Sequence, residues 1–122
     1  MHTKINWFEI PATDFKRAIK FYETLFDTQL LVQDFTGFDL AVFTTADGEG
    51  VGGVICGENY TPGGDGAVLY LDASPSIDAI LARVETAGGS IKMGKIELPK
   101  DLGFVAYFID TEGNRLALHA MA

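Results

Sequence analysis

The chemistry open to this chain rests on a small set of side chains. Glu9 lies within a strand-like run, Ile5–Ile10, where a buried carboxylate must find a partner or hold its proton above the usual pKa. His119 sits three residues from the end of the 122-residue sequence and has a pKa suited to general acid–base work. The only other histidine, His2, is at the opposite end. Glu9 and His119 could act as base and acid on a small carbonyl compound. Both histidines with Glu9 could instead form a scattered set of metal donors. Each residue also has a structural reading: Glu9 as a rim carboxylate bonded to Arg115 or to backbone, His119 as a solvated imidazole, Trp7 as core packing. The lone Cys56 excludes an intrachain disulfide and a cysteine zinc site, and it reads as a small buried apolar residue. Gly48-Glu49-Gly50 with Gly52-Gly53 lies between two strands, so a phosphate cradle lacks the helix N-terminus it needs. That run reads as a hairpin, then a strand whose missing side chains admit a close backbone or ligand. G-x-S-x-G and H-E-x-x-H do not occur.

The elements that must position these groups come in two sets. Phe15, Ala18, Ile19, Tyr22, Leu25 and Phe26 form one apolar stripe at helical spacing, with Thr13 or Asp14 placed to cap it. Ile77, Ile80, Leu81 and Val84 repeat the stripe at a constant offset of 62 residues. Ser74-Pro75 is expected to open this second helix as cap and first helical residue, and Gly88-Gly89 to close it. A strand candidate precedes each helix, Ile5–Ile10 and Ala67–Leu71. Three more follow each: 29–33, 38–44 and 51–56, then 90–96, 103–109 and 115–120. Asp47-Gly48 and Glu112-Gly113-Asn114 supply the turns between the last two strands of each set. The chain reads as β-α-β-β-β written twice. It is one α+β domain, 1–122, with modules 1–57 and 66–122 joined by 58–65 inside the glycine-rich run Gly57–Gly66. The two modules are expected to share a curved eight-strand mixed sheet with the helices on its outer face.

Composition narrows the partners. Hydrophobic residues make up 48% and charged residues 21%, as in a globular protein with a core. The net charge of −8 argues against nucleic acid or an anionic membrane, both of which need a basic surface. The first residues show no signal-peptide pattern and no stretch approaches the roughly 18 apolar residues of a membrane span. A cytoplasmic setting is the expectation.

Paired β-α-β-β-β modules with Trp7-Phe8-Glu9-Ile10-Pro11, Asp14, Arg17-Ala18, Phe21-Tyr22 and Leu25-Phe26 resemble the vicinal oxygen chelate superfamily. This superfamily comprises glyoxalase I, bleomycin and fosfomycin resistance proteins and extradiol dioxygenases. Gly88-Gly89 and Asp110-Thr111-Glu112-Gly113-Asn114, similar to the family's D-P-x-G-N turn, extend the resemblance over essentially the whole chain. The resemblance implies a small-molecule site, a homodimer and, in many members, a divalent metal held by His and Glu from the first and last strands of each module. Carried onto this sequence, those positions are Trp7, Leu69 (or Ala67 or Leu71), Ala117, and Gly52 or a neighbour. None of them can donate to a metal, so no metal or other cofactor is expected; a divalent metal on substitute ligands is the alternative. If Trp7 faces the pocket, period two puts Glu9 on the same face and turns Phe8 and Ile10 to the helices, while Ala117, Arg115 and His119 face opposite to Leu116 and Leu118. The expected ligand-binding set is Trp7, Glu9, Leu69, Ala117 and His119, a mostly apolar lining for an apolar or aromatic molecule. The alternative is a lyase or isomerase with Glu9 and His119 as catalytic candidates.

Overall fold

The structure is a computed structural model that describes residues 5–35, 37–44 and 50–122. His2 and the expected Asp47-Gly48 turn, with Glu49, lie outside the described residues. The first module contains β1 (Phe8–Pro11), α1 (Phe15–Phe26), β2 (Leu31–Phe35), β3 (Phe38–Thr44) and β4 (Gly50–Gly57). The second contains β5 (Tyr70–Asp72), α2 (Ile77–Leu81), β6 (Ser90–Glu97), β7 (Phe104–Ile109) and β8 (Arg115–Ala120). The β-α-β-β-β repeat is therefore present. The eight strands form two four-stranded mixed sheets, ordered β1-β4-β3-β2 and β5-β8-β7-β6, rather than one hydrogen-bonded sheet of eight. In each, the first strand pairs parallel with the last and the remaining pairs are antiparallel.

Asp14 caps α1, its carboxylate accepting from Arg17 N at 3.1 Å. The stripe on α1 buries Ala18, Phe21, Tyr22 and Leu25. One core joins both modules: Phe21, Tyr22, Ile77 and Val84 from the helical layer meet Ile10, Val54, Phe108, Leu116 and Leu118 from the sheets. α2 is shorter than the spacing predicts. It starts at Ile77 behind Ser76, not at Pro75, and after Leu81 it continues as tighter turns through Arg83 N→Ile80 O and Val84 N→Leu81 O bonds. The apolar period persists through those turns, so Val84 is still buried.

The connection from β1 to α1 has three residues, 12–14, whereas that from β5 to α2 has four, 73–76. The helices thus repeat at 62 residues while the strands that precede them repeat at 61. Ala12 N→Ile55 O and Ala73 N→His119 O are the matching bonds. A one-residue slip reverses every side chain of a strand. Leu69 and Leu71 accordingly pack against the core instead of the opposite face, and Tyr70 takes the position of Glu9.

A polar hub locks the two modules together. Asp110 and Asn114 are buried. Asp110 accepts from Tyr22 OH at 2.6 Å and Asn114 Nδ2 at 3.0 Å with one oxygen, and from Glu112 N at 2.8 Å and Asn114 N at 2.9 Å with the other. Asn114 Nδ2 also donates to Pro11 O at 2.7 Å, and its Oδ1 accepts from Gly63 N in the linker. Burial first, and then the Asp110 charge, push the Tyr22 hydroxyl well above its ordinary pKa.

Close approach is what the glycines of β4 provide. A Cβ on Gly52 would stand 2.5 Å from Phe8 O and 2.6 Å from the Phe8 ring. Gly52→Ala is expected to destabilise by about 2 kcal/mol, because either β1 or the half-buried Phe8 ring must shift. Gly63→Ala, with nothing within 4 Å, should change stability by less than about 0.5 kcal/mol. Urea unfolding of the two variants checks the contrast, and equal stabilities would contradict it.

Candidate binding face

The helices cover one side of each sheet and leave the other open. In β1, Phe8 and Ile10 turn to the core and Glu9 turns away, with Trp7 beside it. In β8, Leu116, Leu118 and Ala120 turn to the core, which puts Arg115, Ala117 and His119 on the open side. Trp7, Glu9, Ala117 and His119 thus lie on the open side, whereas Leu69 packs against the core. On β4 the open-side position is Gly53, not Gly52, whose missing side chain faces Phe8.

The open side is largely apolar. On the first sheet Leu40, Val42 and Ile55 form a second buried cluster with Phe38 and Tyr60 at its margin. Phe35 stacks on Phe38 with ring centroids 4.9 Å apart. Trp7 is 41% exposed, and Leu31 and Phe35, paired with Val42 and Phe38, are exposed beside this cluster. On the second sheet Tyr70, 52% exposed, and Tyr107 flank Ala117 in register and join their hydroxyls at 2.6 Å. That hydrogen bond, assisted by desolvation, raises the Tyr70 pKa. Ala117 beneath the pair is fully buried.

The polar groups divide between separate hollows. Glu9 and Arg115 line a cavity of about 330 Å³ at the junction of β1, the linker and the start of β8, together with Asp65 and Leu69. Glu9 accepts from the Trp7 indole at 3.4 Å, and Arg115 donates to Gly66 O at 3.4 Å rather than to Glu9. His119 lines a different hollow of about 370 Å³ with Tyr70, Asp72 and Tyr107. The structure therefore does not bring Glu9 and His119 into one cavity. His119 Nε2 lies 2.7 Å from Leu102 O. Since a carbonyl only accepts, that nitrogen carries the proton, and in neutral imidazole the lone pair is on Nδ1. Asp72 stands beside His119 across β5 and β8, and its pKa is lowered chiefly by its hydrogen bonds from Ser74. Cys56 is half-buried, its thiol 3.6 Å from Thr13 O, and desolvation raises its pKa. This is the opposite of activation.

With the slip in β5 taken into account, the positions that correspond to metal donors are Trp7, Val68, Gly53 and Ala117. An indole, an isopropyl group, a hydrogen and a methyl group offer no lone pair to a cation, so these residues do not fit a divalent ion. Among the described residues no group of three or more His, Cys, Asp or Glu side chains is placed to hold a metal. No helix among them is long and apolar enough to cross a membrane.

Sequence reasoning missed one residue of this region and the situation of another. Tyr70 was hidden by the one-residue slip. Arg115 was placed on the open face, but its situation was not foreseeable: its Nε is buried with no hydrogen-bond partner among the described residues.

Comparison with known proteins bears on the fold. A family profile described as Glyoxalase/Bleomycin resistance protein/Dioxygenase superfamily matches residues 4–118. No curated protein matches significantly. Among solved structures, a glyoxalase I variant from Zea mays superposes with a TM-score of 0.67 at 20% identity, over 94% of this chain but 45% of that one. The fosfomycin resistance protein FosX from Listeria monocytogenes gives 0.69 at 15% identity, covering 98% and 94% of the two chains. TnmS3, an antibiotic binding protein from a Streptomyces species, gives 0.68 at 21% identity, covering 97% and 95%. At these identities the likeness is one of fold.

Proposed function

The chain belongs to the Glyoxalase/Bleomycin resistance protein/Dioxygenase superfamily, and from that premise we propose that it binds an apolar or aromatic small molecule on its open sheet face, without a metal ion. The observation that carries this reading is the concentration of large exposed hydrophobic side chains there: Trp7, Leu31 and Phe35 on one sheet, Tyr70, Met93 and Ile96 on the other. A stable protein rarely leaves so much apolar surface on one side unless something covers it. A protein of the same fold, TnmS3, is an antibiotic binding protein, which supports a small-molecule ligand here. The same exposure supports a homodimer in which a second copy covers part of the face.

Calorimetry with neutral aryl amides, 2-naphthamide among them, tests the proposal on protein treated with a chelator. Saturable binding that is unchanged by the chelator is expected. Tyr70→Ala should weaken it about fivefold, the worth of one aromatic contact. Absence of saturable binding, or binding only after a divalent ion is added, would overturn the reading. Sedimentation should return twice the chain mass.

One observation favours a second reading, a lyase or isomerase: His119, held through Nε2 by Leu102 O, lines the same hollow as the hydrogen-bonded Tyr70 and Tyr107. In that case His119→Ala abolishes turnover of a carbonyl substrate, and Glu9→Gln, in a separate cavity, does so only if the substrate spans both.

A further inference from the structure

Arg115 is the point where the open face has an unmet electrostatic demand. Among the described residues its guanidinium reaches one backbone oxygen, Gly66 O at 3.4 Å, and its buried Nε has no partner. Buried donors in native proteins are almost always satisfied, by protein, ordered water, an ion or a ligand, so this one calls for a partner from outside the chain. Arg115 lines a hollow of about 550 Å³ on this face. Tyr70, Tyr107, Met93 and Ile96 help to wall it, and its only charged lining residues are Arg115 and Lys92. Among the described residues no acidic one lines it, in a chain with 17 acidic against 9 basic residues. A positive, apolar hollow in so acidic a protein selects for charge as well as for shape.

We propose that this hollow takes an aromatic monoanion whose carboxylate pairs with Arg115. The planar fork of the guanidinium matches a carboxylate in two parallel hydrogen bonds. Lys92 adds a second positive charge from β6, the Tyr70–Tyr107 pair, in which one hydroxyl donates to the other, leaves one further donor, and the ring rests on the apolar wall. This deepens the small-molecule reading above and rests on it.

The test compares matched probes, 2-naphthoate and its neutral amide 2-naphthamide, by calorimetry on the full chain. The carboxylate is expected to bind at least about tenfold more tightly, in line with a charge-assisted hydrogen-bond pair in a desolvated site. Arg115→Gln should bring the carboxylate down to the level of the amide and leave the amide unchanged. Lys92→Gln, on an exposed strand, should cost the carboxylate a smaller factor, and this variant guards against a folding defect in the first. Equal binding of both probes by the wild type would overturn the anion assignment and leave the apolar site standing, whereas binding of neither would remove both. If Arg115→Gln turns the protein monomeric without altering the preference for the carboxylate, Arg115 belongs to the subunit contact and the proposal fails.

Discussion

Asp110→Ala is expected to abolish cooperative folding, or to lower the stability by about 4 kcal/mol or more. Four donors converge on this one carboxylate from α1, the turn and Asn114: Tyr22 OH, Asn114 Nδ2, Glu112 N and Asn114 N. Removing a buried acceptor forfeits each net hydrogen bond, about 1 kcal/mol apiece, and leaves donors desolvated at about 1–3 kcal/mol more. Set against a typical total of about 5–15 kcal/mol, that is most of the margin of a domain this size. Asp110→Asn keeps one oxygen but turns an NH₂ toward donors, so an intermediate loss of about 2–3 kcal/mol is expected. Tyr22→Phe, which removes a single donor, should cost about 1–2 kcal/mol. Urea unfolding followed by circular dichroism orders the three variants. If Asp110→Ala stays within about 1 kcal/mol of the wild type, the hub does not hold the modules together.

The same hub shows what could and could not be read from sequence. The Asp110–Asn114 segment was visible as a turn between the last two strands, and Gly113 at φ +89 fulfils that role. Its larger task was invisible, because Tyr22, Pro11 and Gly63 lie 51 to 103 residues away along the chain. Period-two and helical patterns report which side of an element is apolar, so the faces of β1, α1 and β8 were legible in full. They do not report how many residues a loop spends between a strand and its helix. One extra residue before Ile77 therefore left the helical repeat intact while exchanging Leu69 for Tyr70 on the open face. Patterning also cannot show that two sheets lie side by side without a hydrogen-bonded seam, since both arrangements bury the same stripes. The weight of Arg115 depends on which backbone oxygens surround its guanidinium, and no spacing encodes that.

Glu112 stabilises the junction in a way that depends on pH. One carboxylate oxygen accepts from Thr13 N at 2.9 Å and Asp14 N at 2.8 Å, at the very start of α1, and the other accepts from Arg17 Nε at 2.7 Å. Its side chain is wholly shielded while that of Arg17 is 52% exposed. Burial of Glu112 works against ionisation, but the Arg17 guanidinium, the two backbone N–H groups and the Thr111 hydroxyl outweigh it and hold the carboxyl at about 2, below its ordinary 4.5. A carboxyl whose pKa is depressed on folding contributes stability that is complete above the unfolded value and disappears as pH falls through the folded one. Relative to Glu112→Gln, the wild type should therefore be more stable by about 2–3 kcal/mol at pH 6, with the advantage shrinking between pH 4.5 and pH 2. Urea unfolding at pH 6, 4 and 3 measures it. A difference that stays constant across that window would mean that Glu112 acts by shape and not by charge. A difference that grows as pH falls would reverse the sign of the argument and place the negative charge at a cost to the fold.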